Sequence, residues 1–181
     1  MKRSLAILLL LCGCATPGTY QSQSLFDGTR EVSVDPGWLP NGSMPTLSMG
    51  AFWNDKMGDE IVFKVHSMTG GQMKRLRINI DGEFIEAPSI DQLSSIGYGG
   101  IYNPVYTTHR FKGSRKIVEK MVSGKRVVVR VDCADKFFEG IFSSDAPTTA
   151  RPAFKKFLAR VKAAQAGVPI VEPKPMKAGK Q

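Results

Sequence analysis

Apolar and polar positions sort onto opposite faces with period two along much of the chain. Between Ile61 and His66, Ile61, Phe63 and Val65 share one face and Val62, Lys64 and His66 the other, the pattern of a half-buried strand. Leu76, Ile78 and Ile80 form a second apolar face, with Arg75, Arg77 and Asn79 opposite. Asp81-Gly82 follows, the strongest short hairpin signal available, and Phe84-Ile85 reads as the return strand. Arg30 to Val34 and Leu47 to Trp53 are shorter strand candidates, separated by Asp35-Pro36-Gly37 and Pro40-Asn41-Gly42. Gly70-Gly71 reads as the turn that carries this meander onward. Lys125 to Cys133 places Val127, Val129, Val131 and Cys133 on one face, and Phe137 to Phe142 follows a turn at Ala134-Asp135.

The period changes to that of a helix twice. Ser114 is a candidate N-cap before Ile117, Val118, Met121 and Val122, and Gly124 stands where a left-handed stop is expected. Thr149 caps a longer stretch with Pro152 in its first turn. Phe154, Phe157, Leu158 and Val161 form its apolar stripe, and Lys155, Lys156, Arg160 and Lys162 its outer face. These elements predict an α+β fold, a mostly antiparallel β-sheet with two short helices packed on one side.

The two ends do not follow either period. Lys2 and Arg3 precede the apolar run Leu5 to Leu11, far short of the ~20 residues that span a bilayer, so the segment reads as a secretory signal. Residues 15–24 are mostly small and polar, suited to a flexible tether. Residues 166–181 contain Pro169, Pro173 and Pro175 with Lys174, Lys177 and Lys180 and have no apolar period; they read as a disordered tail. One domain is then expected over residues 25–165. The 181 residues and 42% hydrophobic content suit that size and exclude a polytopic membrane protein.

Leu11-Cys12-Gly13-Cys14 resembles the lipobox of bacterial lipoproteins. The resemblance implies cleavage after Gly13, diacylglyceryl attachment to Cys14 and acylation of the new amino terminus. Residues 1–13 would be the signal peptide and residues 14–24 a lipidated tether. Ala15, standing where Asp would imply retention at the inner membrane, implies the outer membrane. The mature domain is similar to small uncharacterised proteobacterial lipoproteins in its Phe26-Asp27-Gly28-Thr29 opening, its Ala51-Phe52-Trp53 strand and its Ile80-Asp81-Gly82 hairpin. That likeness implies no activity. With Cys12 removed and Cys14 lipidated, Cys133 is the one thiol left, and no internal disulfide forms.

No catalytic constellation stands out. Cys133 shares a strand face with three valines, as a core cysteine does, and His66 on its polar face reads as solvent-exposed. His66 and His109 are far apart in sequence, and no Cys pair or carboxylate cluster has metal-ligand spacing. Asp59 with Glu60, or Glu83 with Glu86, are the carboxylate pairs a glycan hydrolase would need, at turns and strand edges where acids are ordinary. The glycines of 70–71 and 97–100 lack phosphate-loop spacing, although Tyr98, Tyr102 and Tyr106 make 97–106 a plausible contact loop. No cofactor, metal or catalytic residue is expected.

The charge is uneven. The whole chain has 25 Lys and Arg against 16 Asp and Glu, a net +9. Residues 26–109 are net −4, whereas residues 110–130 are net +7, the surplus of the whole mature chain. Arg110, Lys112, Arg115, Lys116, Lys120, Lys125 and Arg126 are therefore the candidate anion-binding set. Arg115 and Lys116 fall in a helix first turn, where the dipole disfavours cations and an anion would relieve the repulsion. Nucleic acid fits poorly, since no recognition motif is present. The sequence thus points to a membrane-anchored envelope protein without enzymatic activity, a binding or assembly module. The alternatives are a binder of lipopolysaccharide, peptidoglycan or phospholipid through residues 110–130 and, more remotely, an envelope hydrolase.

Overall fold

The computed structural model describes residues 17–41, 47–68, 71–98, 105–143 and 148–168. The lipobox Leu11 to Cys14, most of the 97–106 loop and the tail beyond Val168 lie outside the described residues. The α+β expectation is met: the chain is mostly antiparallel sheet with two helices. In chain order the elements are β1 (Thr19–Gln23), β2 (Arg30–Leu39), β3 (Leu47–Asn54), β4 (Glu60–Ser67), β5 (Met73–Ile80), β6 (Glu83–Ala87), β7 (Ser95–Tyr98) and β8 (Val105–Ser114). There follow α1 (Arg115–Ser123), β9 (Val127–Cys133), β10 (Phe137–Ile141) and α2 (Ala150–Gln165).

The strands divide between two sheets, ordered β1-β2-β3-β4-β8-β7 and β10-β9-β5-β6. Val34, Ala51, Phe63 and Phe111 stand side by side across the first sheet, and Ile85, Ile78 and Val129 across the second. These rows face one core in which Trp53, Phe63, Phe111, Phe142, Phe154 and Phe157 are fully buried. Phe154 of α2 meets Phe142 edge-on at 5.2 Å and stacks near Phe63 at 6.5 Å, which fixes the helix over the sheets. Burying each such side chain contributes about 1.5–3 kcal/mol. Truncating Phe154 would break the ring contacts of α2 with Phe63 and Phe142.

Several expectations are corrected. The chain does not continue its meander through residues 70–71: β4 pairs with β8, while β5 joins β6 and β9 in the other sheet. A glycine turn can change direction, but pairing is decided by which apolar faces close the core. The tether loses Thr19–Gln23 to β1, an edge strand on β2 with Thr19 and Gln21 half-buried on one face and Tyr20 and Ser22 exposed on the other. Strands β7 and β8 add to the expected elements; the period of β8 is hidden because Thr107, His109 and Gly113 flank Phe111 on its buried face, where apolar residues would announce a strand. Ser114 does cap α1, its hydroxyl accepting from the Ile117 N–H at 3.3 Å. Gly124, however, has φ −59° and ψ 144°, not the left-handed geometry of a stop. A Cβ there would press on Val127 and Ile80, so close packing explains the glycine. Thr149 does not cap α2; its hydroxyl accepts from the Trp38 N–H, and Thr148 instead accepts from the Ala150 N–H. The Asp81-Gly82 hairpin forms as expected, with φ of 53° and 96° at its two central residues.

Candidate functional site

The seven candidate cations do not form one patch, and four of them are neutralised by acids from the first half of the chain. Arg110 grips Asp91 through Nε and Nη2 at 2.8 and 2.7 Å, and its backbone N–H donates to the same carboxylate. Lys112 pairs with Glu60 across β4 and β8. Lys120 lies 2.6 Å from Glu83. Arg115 pairs with Asp59 at 3.0 Å and donates to Gln165. Asp59 thus supplies at the start of α1 the anion that the sequence left to a ligand, and its carbonyl accepts the Arg115 N–H. Among the described residues Lys116, Lys125 and Arg126 have no ion pair. Asp81, in the β5–β6 turn, accepts the backbone N–H groups of Lys125 and Arg126 at 3.1 and 2.7 Å. Those two bonds hold its carboxyl below the usual range.

Arg126 faces a groove of about 720 Å³ on the outer face of the second sheet. Strand register builds it row by row. One row runs Phe84, Asn79, Val128, Ile141, and the next Glu86, Arg77, Arg130, Glu139. Two arginines opposite each other across adjacent strands would repel. Asp132, one step along β9, prevents it. Arg77 Nη2 and Arg130 Nε reach its carboxylate at 2.7 and 2.8 Å, and Arg75 Nε lies at 3.7 Å. Burial pushes the Asp132 carboxyl up, but the hydrogen bonds from Arg77 and Arg130 outweigh it and leave it below the ordinary carboxylate range. The Arg130 guanidinium also lies 3.7 Å over the Phe137 ring. Phe84 is 77% exposed at the groove edge. Held guanidinium forks, the Asn79 amide and bare aromatic rings make a surface suited to planar acidic or amphipathic groups.

A smaller depression of about 390 Å³ lies on the outer face of the first sheet, lined by Lys64, His66, Ile96, Tyr106 and the Asp91–Arg110 pair among others. His66 is half-buried there instead of solvent-exposed, stacked on Tyr106 with ring centroids 5.6 Å apart. Burial, with a smaller push from Lys64, lowers its pKa to about 4, so the imidazole is neutral at pH 7.

Among the described residues the other candidates have structural roles. Cys133 is a buried free thiol, and burial raises its pKa. His109 is buried between two serines, Nε2 2.6 Å from Ser89 Oγ and Nδ1 2.9 Å from Ser94 Oγ. Ser89 donates to the Asp91 carbonyl and Ser94 accepts the Met73 N–H. The imidazole must then donate from Nε2 and accept at Nδ1, a neutral tautomer that burial also favours. Asp59 and Glu60 hold separate cations, and Glu83 and Glu86 are an odd step apart on β6, on opposite faces. No group of three His, Cys, Asp or Glu side chains is placed to hold a metal among the described residues.

Sequence reasoning placed Arg75, Arg77 and Asn79 on the polar face of their strand, but it did not bring Arg130 or Asp132 beside them. The alternation signal was present in both strands; the pairing of β5 with β9 was not. No protein-family model, curated protein or solved structure matches the chain.

Proposed function

We propose that the protein is a lipid-anchored lipoprotein of the bacterial outer membrane, facing the periplasm, and that its domain is a non-enzymatic binding or assembly module. The observation that supports a binding role is the groove on the second sheet, where arginine forks and exposed rings stand ready with no other element over them among the described residues. The anchor is supported by Leu11-Cys12-Gly13-Cys14. No helix among the described residues is long and apolar enough to cross a membrane. On this reading lipid on Cys14 is the means of attachment, and two or more acyl chains give stable anchoring. Fractionation tests it: Cys14→Ala should move the protein from the membrane to the soluble fraction, and continued membrane retention refutes lipidation.

A second reading, an anionic envelope polymer as ligand, draws on Arg126 and Arg130, the two cations of the basic segment that line the groove. Arg110, Lys112, Arg115 and Lys120 are already paired. Pulldown on lipopolysaccharide and on peptidoglycan sacculi separates the sites. Loss of retention with Arg126→Glu assigns the polymer to the groove, and loss only with Lys116→Glu returns it to the face of α1. Full retention by both variants removes the polymer reading.

A further inference from the structure

The turn between β1 and β2 presents Leu25 and Phe26 to solvent with essentially their whole side chains, 106% and 99% exposed. Two adjacent large apolar residues in water are costly, and the turn that displays them is firmly built. Ser24 N–H donates to the Thr29 carbonyl at 2.8 Å, and Gly28 N–H to the Ser24 carbonyl at 3.0 Å. The Ser24 hydroxyl accepts from Phe26 and Asp27 N–H, and the Asp27 carboxylate accepts from Thr29 N–H at 3.1 Å. Lys56 reaches across from the β3–β4 connection to hold that carboxylate. Nothing in this arrangement folds the two side chains back onto the domain.

The surroundings of the tip come from strand register. Gln23 pairs with Arg30, Glu31 with Asn54 and Glu60 with Ser114, so the tip, the 55–59 connection and the start of α1 share one end of the first sheet. The last turn of α2 is there as well, with Gln165 donating to the Gly58 carbonyl and Arg30 to the Ala164 carbonyl. Arg30, Lys56, Lys112, Arg115 and Lys116 meet Asp27, Glu31, Asp55, Asp59 and Glu60 at this end. The described charges at this end therefore balance around the apolar tip.

We infer that Leu25 and Phe26 form a wedge that enters the interfacial region of the phospholipid bilayer to which the chain is anchored. Two side chains present on the order of 400 Å², about half of what one partner buries in a standard protein interface. They match instead the ~5–10 Å depth of interfacial insertion. The inference rests on the anchor reading for its geometry. The Gly18 carbonyl accepts the Asp35 N–H, so the free run from Cys14 to Gly18 advances four residues, which can span ~14 Å. The five residues of β1 from Thr19 to Gln23 cover a similar length, so the lipid and the tip can reach one plane. The anchor would then hold the domain in one orientation, with the tip down.

The test places Phe26→Trp in the full mature lipidated chain, in vesicles of phosphatidylethanolamine and phosphatidylglycerol with brominated acyl chains. Trp38 and Trp53 supply the background, measured on the unsubstituted chain. The expected result is quenching of the added indole well beyond that background. Equal quenching in the two proteins overturns the wedge. So does shielding of the added indole from iodide only when envelope protein extract is added, which would give the tip to a protein partner. Flotation of the Cys14→Ala chain, run in parallel, judges the anchor separately, since its outcome does not depend on the tip. In that unlipidated background, Leu25→Ser with Phe26→Ser should lower vesicle partitioning about tenfold or more, and unchanged partitioning also sinks the wedge.

Discussion

Asp132 ties β5 to β9 on the outer face of the second sheet. Three arginines surround a carboxylate that is itself 11% exposed, whereas their own side chains are 34–58% exposed. Asp132→Asn would leave Arg77 and Arg130 facing each other with half of their compensation gone. We expect a loss of about 1–3 kcal/mol in urea unfolding, less than for a fully buried pair because solvent screens the guanidinium ends. The sign with pH follows from its lowered pKa. The stabilisation is complete above the ordinary carboxylate range and is lost as pH falls through the folded-state value, so the variant should lose less than the parent on acidification. His66 behaves in the same sense at higher pH. The unfolded chain takes up its proton near 6.5 and the folded chain near 4, so stability should fall as pH drops between those values. His66→Phe keeps the stack on Tyr106 and should flatten that part of the curve. An imidazole that titrates near 6.5 by NMR in the folded protein would contradict the burial argument.

At the scale of elements, α2 is seated by contacts its own sequence does not reveal. A Cβ on Gly37 would lie 2.5 Å from the Ala150 Cα, so β2 and the first turn of α2 touch backbone to backbone. Gly37→Ala should separate them and cost about 1–3 kcal/mol, read as a lower urea midpoint with unchanged slope. Thr148 and Thr149 hold the same junction through Trp38, accepting its N–H and donating to its carbonyl. The apolar stripe of Phe154, Phe157, Leu158 and Val161 was legible from spacing alone. The cap was not, because Thr149 finds a stronger use on a neighbouring strand. The same limit applied to β1, whose polar residues look like a linker until an edge strand offers them backbone partners.

Across the whole molecule, the two sheets meet where β10 crosses the end of β2. Gly140 has no room for a Cβ, which would come 2.4 Å from that of Leu39, and the Ile141 N–H donates to the Pro40 carbonyl at 2.9 Å. Gly140→Ala should loosen this seam and destabilise by about 1–3 kcal/mol. If the sheets share one core, Trp53 fluorescence in the first sheet and amide protection in the second should be lost in a single transition. Separate transitions would show that they fold independently. The charge of the molecule is likewise a tertiary property. A surplus that looked concentrated in residues 110–130 is largely cancelled by Asp59, Glu60, Glu83 and Asp91, brought from the acidic half by strand pairing.

The sequence by itself determined what acts over a few residues: the alternation of β4, β5 and β9, the Asp81-Gly82 turn, the stripe of α2, the cap of α1 and the α+β class that follows from them. Periodicity and turn chemistry are local, and they read directly. Only the tertiary structure decided which strands share a sheet, which cations keep an unpaired charge, and that Arg77, Arg126, Arg130 and Phe84 line one groove. Those outcomes depend on pairing between segments tens of residues apart, fixed by the joint closure of apolar faces around a single core. The surplus of positive charge was written in the composition; its placement was not.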